Sequence, residues 1–284
     1  MSHDRSFGVS THLFHEQRLT REHLVHVAAH RFEAVEVFAT RAHFDYRDPS
    51  AIDQLAEWLA DTRLELHSVH APIVDAIRGG EWVGSYSNAS GDESRRKAAV
   101  AETEAALAIA SRIPFRQLVV HLGVPADKAA PGDNRPDAAL RSIVEIVEAA
   151  AKRRVQVALE VMPNPLSGAA DLVHTIEEDL DGVDVGICLD YGHAHLMTDV
   201  VEAIETVSGH LRTTHLHDNH GRRDEHLVPY AGTIGWETAM MATQKIGYDG
   251  MLMFEVGSAG GDPVDVLRRT AKARERLAKT FVTF

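Results

Sequence analysis

Histidine and carboxylate side chains recur in this sequence at the ends of short apolar segments, an arrangement that suits metal binding and acid–base chemistry. The chain has 284 residues, of which 18 are histidine and 42 are acidic. The ends of these segments are His67-Ser-Val-His70, Val119-Val-His121, Leu159-Glu160, Leu189-Asp190, His215-Leu-His217-Asp218 and Phe254-Glu255. Six such endings in succession are hard to explain as isolated structural groups.

Three of these carboxylates, Glu160, Asp190 and Glu255, would be costly to bury side by side. Desolvation and mutual repulsion destabilise such a group, and a divalent cation removes that cost. Imidazole and carboxylate ligands without a thiolate are typical of zinc, manganese, cobalt or iron, whereas magnesium prefers all-oxygen sites. The sequence therefore predicts a bound divalent metal ion but leaves the element open.

The apolar segments alternate along the whole chain with amphipathic helical patterns. The predicted strands are Phe7 to Phe14, Ala34 to Ala39, Glu65 to Ala71, Gln117 to Gly123, Val155 to Val161, Val185 to Asp190, Leu211 to His217 and Gly250 to Val256. Predicted helices include one capped by Asp48 with Pro49 in its first turn, Glu93 to Arg112, Pro136 to Arg154, and Asp262 to Leu277.

Strict alternation of strands and helices favours a parallel sheet covered by helices, and eight repeats of about 35 residues are enough to close a (β/α)8 TIM barrel. In such a barrel the carboxyl ends of the strands share one mouth, where chemistry gathers. A doubly wound open sheet is the alternative. It usually carries a Gly-rich turn after its first strand, which Ser10-Thr-His-Leu-Phe-His15 is not. Because no Pro-, Gly- or Ser-rich linker divides the chain, we expect one α/β domain over residues 1–284.

The composition limits the partners. With 25% charged and 44% hydrophobic residues the chain is typical of a globular protein, and its net charge of -13 repels nucleic acid and anionic membranes. The first residues lack the apolar core of a secretion signal, and no run of 18 apolar residues occurs. Cys188, the single cysteine, cannot form an internal disulfide. We therefore expect a cytoplasmic protein that binds neither nucleic acid nor membrane, with a homo-oligomer left open.

Six motifs, in order, resemble the xylose isomerase-like TIM barrels, and the likeness runs over most of the chain. They are Ser68-Val-His-Ala-Pro72, Val120-His-Leu-Gly123, Leu159-Glu-Val-Met-Pro-Asn164, Leu189-Asp-Tyr-Gly-His-Ala194, His215-Leu-His-Asp-Asn219 and Phe254-Glu255. That superfamily holds sugar and sugar-phosphate isomerases and epimerases, together with the endonuclease IV class of apurinic endonucleases (AP endonuclease family 2).

The resemblance implies a metal site and roles for particular residues. In the isomerases and epimerases the metal is held by a set that matches Glu160, Asp190, His215 and Glu255. His217 points to the same face as His215, and the choice of His215 rests on the His-x-x-Asp register. The matching glutamates of the ketose epimerases exchange protons with the substrate, so Glu160 and Glu255 are the catalytic candidates. His193 matches a histidine that contacts a sugar oxygen.

The endonuclease class adds ligands that also have counterparts here. His70 and His121 match two histidines that hold a second metal with Glu160, and the trio for a third metal matches His193, Asp224 and His226. The resemblance therefore allows one to three divalent ions per chain.

Other segments have two interpretations each. Ile73 to Asp92 is either a lid over the barrel mouth or a surface loop. Gly257 to Asp262 either binds a phosphate or caps the last helix. Arg222 and Arg223 either contact substrate, for which Arg223 is our candidate, or are solvated. Glu36 and Tyr191, each of which could point towards the mouth, are left open, and Cys188 is assigned to the core.

Three functions are compatible with these residues. The first is a metal-dependent isomerase or epimerase of a small carbohydrate or sugar phosphate, in which Glu160 and Glu255 move a proton through a metal-stabilised enediolate. The second is phosphodiester hydrolysis at a three-metal cluster, which the lack of a basic face disfavours for DNA. The third, a barrel that binds sugar or stores metal without catalysis, would leave the complete ligand set without a purpose.

Overall fold

Eight parallel strands close into a barrel within residues 5–79 and 81–281, the part of the chain that the computed structural model describes. The barrel strands are β1 (Phe7–Ser10), β2 (Ala34–Phe38), β3 (Glu65–His70), β6 (Gln117–Val120), β7 (Gln156–Glu160), β8 (Val185–Asp190), β9 (Leu211–Leu216) and β10 (Leu252–Phe254). Between β3 and β6 lies an antiparallel hairpin of β4 (Ala76–Arg78) and β5 (Glu81–Val83).

Closure depends on the first strand, because β1 pairs in parallel with both β2 and β10. Gly8 lies at this junction, where a Cβ atom would stand 2.9 Å from Met253 Sδ and 3.0 Å from the Ala34 carbonyl oxygen. A larger residue would separate the strands at the point of closure. The predicted (β/α)8 barrel is confirmed, and the open doubly wound alternative is excluded.

Helices cover the outside of the barrel. They are α1 (Arg21–Ala29), α2 (Pro49–Thr62), α3 (Glu93–Ala106), α4 (Pro136–Ala151), α5 (Ala169–His174), α6 (Tyr191–Met197), α7 (Val200–Thr206), α8 (Trp236–Lys245) and α9 (Pro263–Ala278). The predicted cap of α2 is present, since Asp48 Oδ1 accepts a hydrogen bond from Ser50 N at 2.9 Å and Pro49 is the first helical residue. None of these helices is long and apolar enough to cross a membrane.

Several predicted elements have different bounds or content, and three of the differences concern the site or its surroundings. The first strand ends at Ser10 instead of Phe14, because Ser10 Oγ accepts from His12 N and starts a 3₁₀ turn over Thr11–Phe14. The helix predicted to reach Arg112 changes at Leu107 into a 3₁₀ segment. The segment after β3, predicted as irregular, contains the β4–β5 hairpin, while Gly80 lies outside the described residues.

Two β-bulges decide which side chains face the barrel interior. Opposite Val35 and Glu36 of β2 stand Leu66 and Ser68 of β3, so His67 is the extra residue. Opposite Ile187 and Cys188 of β8 stand Leu211 and Thr213 of β9, so Arg212 is extra there. An extra residue reverses the inside–outside alternation of a strand. The first halves of β3 and β9 therefore point Leu66 and Leu211 outward, while the second halves point histidines inward.

Candidate metal centre at the barrel mouth

The candidate site lies on the inner faces of the strands, at their carboxyl ends. Val119, Ala158 and Cys188 form a buried layer inside the barrel, which confirms that Cys188 belongs to the core. Because side chains alternate along a strand, the residues two positions further on share that face. Glu160 and Asp190 follow in this way from Ala158 and Cys188.

Within the described residues, three groups of side chains could each hold a metal ion. The first is Glu160, Asp190, His215 and Glu255, whose ligand atoms all lie within 4.8 Å of one another. His215 Nδ1 is 3.5 Å from Glu160 Oε1, 3.9 Å from Asp190 Oδ2 and 3.4 Å from Glu255 Oε2. At most 4% of any of these side chains is exposed.

Several polar atoms of this first group lack hydrogen-bond partners, and this indicates whether the group can hold a cation. Glu160 Oε1, Asp190 Oδ2 and His215 Nδ1 are buried and have no hydrogen-bond partner in the described part of the chain. Buried polar atoms are almost always paired, and leaving one unpaired costs about 1–3 kcal/mol. Three such atoms converging with Glu255 fit a divalent ion with mixed oxygen and nitrogen ligands.

The opposite nitrogen of His215 is held by Glu36, a residue whose role the sequence left open. Glu36 Oε2 accepts hydrogen bonds from His215 Nε2 at 3.1 Å and from Ser68 Oγ at 2.8 Å. Since a carboxylate can only accept, the proton is on Nε2 when the ring is neutral, and the Nδ1 lone pair faces the carboxylates. A carboxylate behind a histidine is a common support of metal ligands.

The second group shares Glu160 with the first. His70 Nε2 and His121 Nε2 lie 3.1 Å and 3.0 Å from Glu160 Oε2, while Glu160 Oε1 faces His215. His70 Nδ1 donates to the Ala71 carbonyl at 2.9 Å, which directs Nε2 towards the glutamate. If both groups held an ion, Glu160 would contribute one oxygen to each of them.

The third group is His193, His217, Asp224 and His226. His193 Nε2 and His226 Nε2 lie 3.2 Å and 3.0 Å from Asp224 Oδ2, and His217 Nε2 is 3.7 Å from Oδ1. The structure thus places His215 in the first group and His217 in the third. Sequence reasoning treated His217 only as an alternative to His215 and missed this place; the two-residue spacing, with both side chains on one face, was the signal.

Asp218 holds the loop that carries Asp224 and His226. Its Oδ1 accepts from the backbone N–H groups of Asn219 (2.9 Å) and Ile234 (3.2 Å). Its Oδ2 accepts from Tyr230 N and Trp236 Nε1, both at 2.9 Å. Although Asp218 ends one of the polar segments found in the sequence, it is a scaffold for this loop and belongs to none of the ligand groups.

The electrostatics separate the two glutamates. Burial acts to raise the pKa of Glu160, but His121 and His215 hold that pKa well below its ordinary value. Burial raises the pKa of Glu255, and the charge of Glu160 adds to the effect. Burial acts to lower the pKa of His226, yet Asp224 raises it to about 9. Without a metal ion, His226 therefore holds a proton that it would have to release to act as a ligand.

A cavity of about 1020 Å³ opens above these groups. Arg222 and Arg223 are exposed on its lining, so the substrate contact of Arg223 stays a prediction. Trp82 of the hairpin also lines it, as expected of a segment over the mouth. Residues 257–260 line it too, while Asp262 caps α9 by accepting from Val264 N at 3.0 Å. Tyr191 is buried against Trp236 and Thr243, away from the cavity, and does not shield the site.

Comparison of the sequence with known protein families identifies the class of protein to which this barrel belongs. Residues 24–279 match the family described as "Xylose isomerase-like TIM barrel", and the chain belongs to this family. An uncharacterized protein of Methanocaldococcus jannaschii is 30% identical over 259 residues, covering 89% of this chain and 84% of that protein.

Two solved structures extend the comparison. A D-tagatose 3-epimerase-like protein has a TM-score of 0.77 and 27% identity, covering 97% of this chain and 96% of that chain. The IolI protein with a bound zinc atom has a TM-score of 0.76 and 16% identity, covering 98% and 100% respectively. At this identity the second likeness shows the fold alone.

Proposed function

We propose that the protein is a divalent-metal-dependent isomerase or epimerase of a sugar or sugar phosphate. The observation that carries the proposal is the convergence of Glu160, Asp190, His215 and Glu255, with ligand atoms within 4.8 Å, at the mouth of the barrel. The similarity to a D-tagatose 3-epimerase-like protein over 97% of the chain supports a carbohydrate substrate. The net charge of -13 favours a small substrate over a polyanion.

The ion would be held by Glu160, Asp190, His215 and Glu255. Zinc, manganese, cobalt and iron all suit three carboxylates and one imidazole, and the IolI protein of the same fold binds zinc. When bound, such an ion would polarise a carbonyl and the neighbouring hydroxyl of the sugar and so acidify the C–H bond of the hydroxyl-bearing carbon next to the carbonyl.

Glu160 and Glu255 move the proton in this proposal. Three steps around the barrel separate β7, which ends at Glu160, from β10, which leads into Glu255. A substrate lying between them meets one carboxyl group on each side. One glutamate removes the proton from the carbon and the other returns a proton to the opposite face, which inverts that centre. His193 and Arg223 are the proposed contacts to substrate oxygens.

Glutamine substitutions test the proton transfer. We expect Glu160→Gln and Glu255→Gln each to lower turnover of ketoses by about 10²- to 10⁴-fold. They should also stop exchange of the substrate C–H with deuterated solvent, measured by NMR with metal content determined in parallel. Glu57→Gln, at an exposed position of α2, is the matched control. Full turnover by a metal-loaded Glu160→Gln protein would exclude the proposed role.

A second candidate, phosphodiester hydrolysis at three metal ions, is favoured by the other two ligand groups. Glu160, Asp190, Glu255 and Asp224 carry four negative charges; one divalent ion leaves about -2, and three leave about +2. Only a positive cluster attracts a phosphodiester. Near one ion per chain after mild purification supports the isomerase, and near three the hydrolase. His226→Ala separates them further, because it should abolish only the hydrolase.

We also propose a location, a domain content and an oligomeric state to be measured. A single cysteine, buried in the barrel, favours a reducing, cytoplasmic location. We also propose one domain over residues 1–284 and leave a homo-oligomer to measurement of the mass in solution.

A further inference from the structure

His12 is a buried histidine at the mouth that belongs to none of the three ligand groups. It lies in the 3₁₀ turn that follows β1, where the predicted strand does not continue. Only 8% of it is exposed, and it lines the same cavity as Glu255 and His226. The strand predicted over Phe7 to Phe14 contained His12, and no role was predicted for it.

The surroundings of His12 fix both its orientation and its tautomer. Its Nδ1 lies 3.3 Å from the carbonyl oxygen of Val256, which can only accept, so Nδ1 carries the proton. His15 and His226 contact its ring with centroid distances of 4.6 Å and 4.5 Å. Phe38 meets it edge-on at 5.0 Å. The ring therefore cannot turn freely, and Nε2 presents a lone pair.

That lone pair faces the cavity. Among the hydrogen bonds of the described residues the His12 side chain takes part only through Nδ1. Nε2 is not among the buried unpaired polar atoms, and His12 lines the cavity, so Nε2 is reachable from it. An acceptor on a side chain that is more than nine-tenths buried needs a donor from whatever occupies the cavity. Resting on the proposed function, we infer that His12 is a substrate-positioning residue whose Nε2 accepts a hydrogen bond from a hydroxyl group of the sugar.

The geometry also indicates whether the hydroxyl-bearing or the phosphate-bearing part of a sugar lies near His12. A phosphate oxygen can only accept in its ionised form, so it gains nothing from an acceptor nitrogen. Glu255, which lines the same cavity, is a further acceptor when ionised. Phe38 and Ile73 add an apolar surface. This side of the mouth therefore suits a hydroxyl-bearing, uncharged part of a substrate, and we expect free ketoses to be preferred over ketose phosphates bound at this position.

Two substitutions distinguish the roles of the two ring nitrogen atoms of His12. An asparagine amide can keep the donor to Val256 but has no atom at the Nε2 position, whereas a glutamine amide reaches further and returns an acceptor. We expect His12→Asn to raise KM for free ketohexoses, D-tagatose among them, about tenfold with little change in kcat. His12→Gln should recover most of that loss. His174→Asn, at an exposed position of α5, is the control.

Binding of the same sugars by calorimetry keeps the test separate from catalysis. If the wild-type protein binds free ketoses without interconverting them, the proposed function fails, and the two variants still test His12 by affinity. Unchanged binding in both variants overturns the inference. An equal loss in both indicates a merely structural role and also overturns it. Binding of ketose phosphates alone, or of no sugar, by the wild type has the same consequence.

Discussion

Replacing Glu36 by glutamine removes the negative charge that contacts His215, a proposed metal ligand, without changing the shape of the side chain. Glu36 and His215 are fully buried, and Glu36 Oε2 accepts from both His215 Nε2 and Ser68 Oγ. Burial acts to raise the pKa of Glu36, but His215 and His70 hold it below its ordinary value, so the group is a carboxylate. Glutamine can still accept both hydrogen bonds, but its amide is neutral.

The size of the effect follows from this contact. Removing a group that orients a metal-binding histidine typically costs about 10- to 100-fold in metal affinity, which is about 1.4–2.7 kcal/mol. With no exposed surface, neither Glu36 nor His215 has water to replace the lost charge. We therefore expect Glu36→Gln to lie near the upper end of this range.

Competition with a chromophoric chelator measures the zinc affinity of the purified, metal-free proteins. Glu102→Gln is the matched control, since Glu102, in α3, is also a buried carboxylate but binds Tyr46 and Arg47. It should lose stability and keep its zinc affinity. If Glu36→Gln, folded by circular dichroism, binds zinc within about twofold of the wild type, the argument that Glu36 supports His215 through its charge is refuted.

Three further predictions concern the acid dependence of stability, the loop after β9 and the release of protons on zinc binding. Burial lowers the pKa of His43 from 6.5 to about 4, so its stabilising effect is complete above pH 6.5 and is lost as pH falls to 4. His43→Gln should therefore remove about 3 kcal/mol of the acid dependence seen in urea unfolding; parallel pH curves would contradict this. Asp218→Asn replaces one acceptor oxygen by an NH2 group and leaves two N–H donors unpaired, one buried and one partly buried. It should therefore cost about 2–6 kcal/mol in urea unfolding, and a loss below about 1 kcal/mol would contradict the scaffold role. Because Asp224 overcomes burial and raises the pKa of His226 to about 9, zinc binding at this group should release protons and tighten as pH rises to 9. Calorimetry in two buffers of different ionisation heat checks the release, and equal heats would argue against it.

Much of the fold could be predicted from local signals. Apolar segments of strand length, alternating with capped amphipathic helices, specify a (β/α)8 barrel because each repeat must bury its apolar face against the next. The signal at Asp48 and Pro49 predicted the start of α2 to the residue. Where the prediction failed, at Ser10, a side chain offered the backbone a tighter turn than the apolar pattern indicated.

The chemical types at the site were equally visible in the sequence, since carboxylates and imidazoles at strand ends retain their identity in any fold. Residue types and spacing did not show how these residues group; the family resemblance supplied the three groups, but neither the place of His217 nor the role of Glu36. Glu36 and His215 are 179 residues apart, and only closure of the barrel places them 3.1 Å from each other.

The sequence by itself thus determined the barrel, the mouth as the expected location of a site, and the set of groups available there. Tertiary structure decided which of them meet. The bulges at His67 and Arg212 reverse the inside–outside alternation, so His70 and His215 face the interior although Leu66 and Leu211, at even spacing from them, face outward. Such a reversal depends on how neighbouring strands pair, and strand pairing involves residues that are distant in the chain.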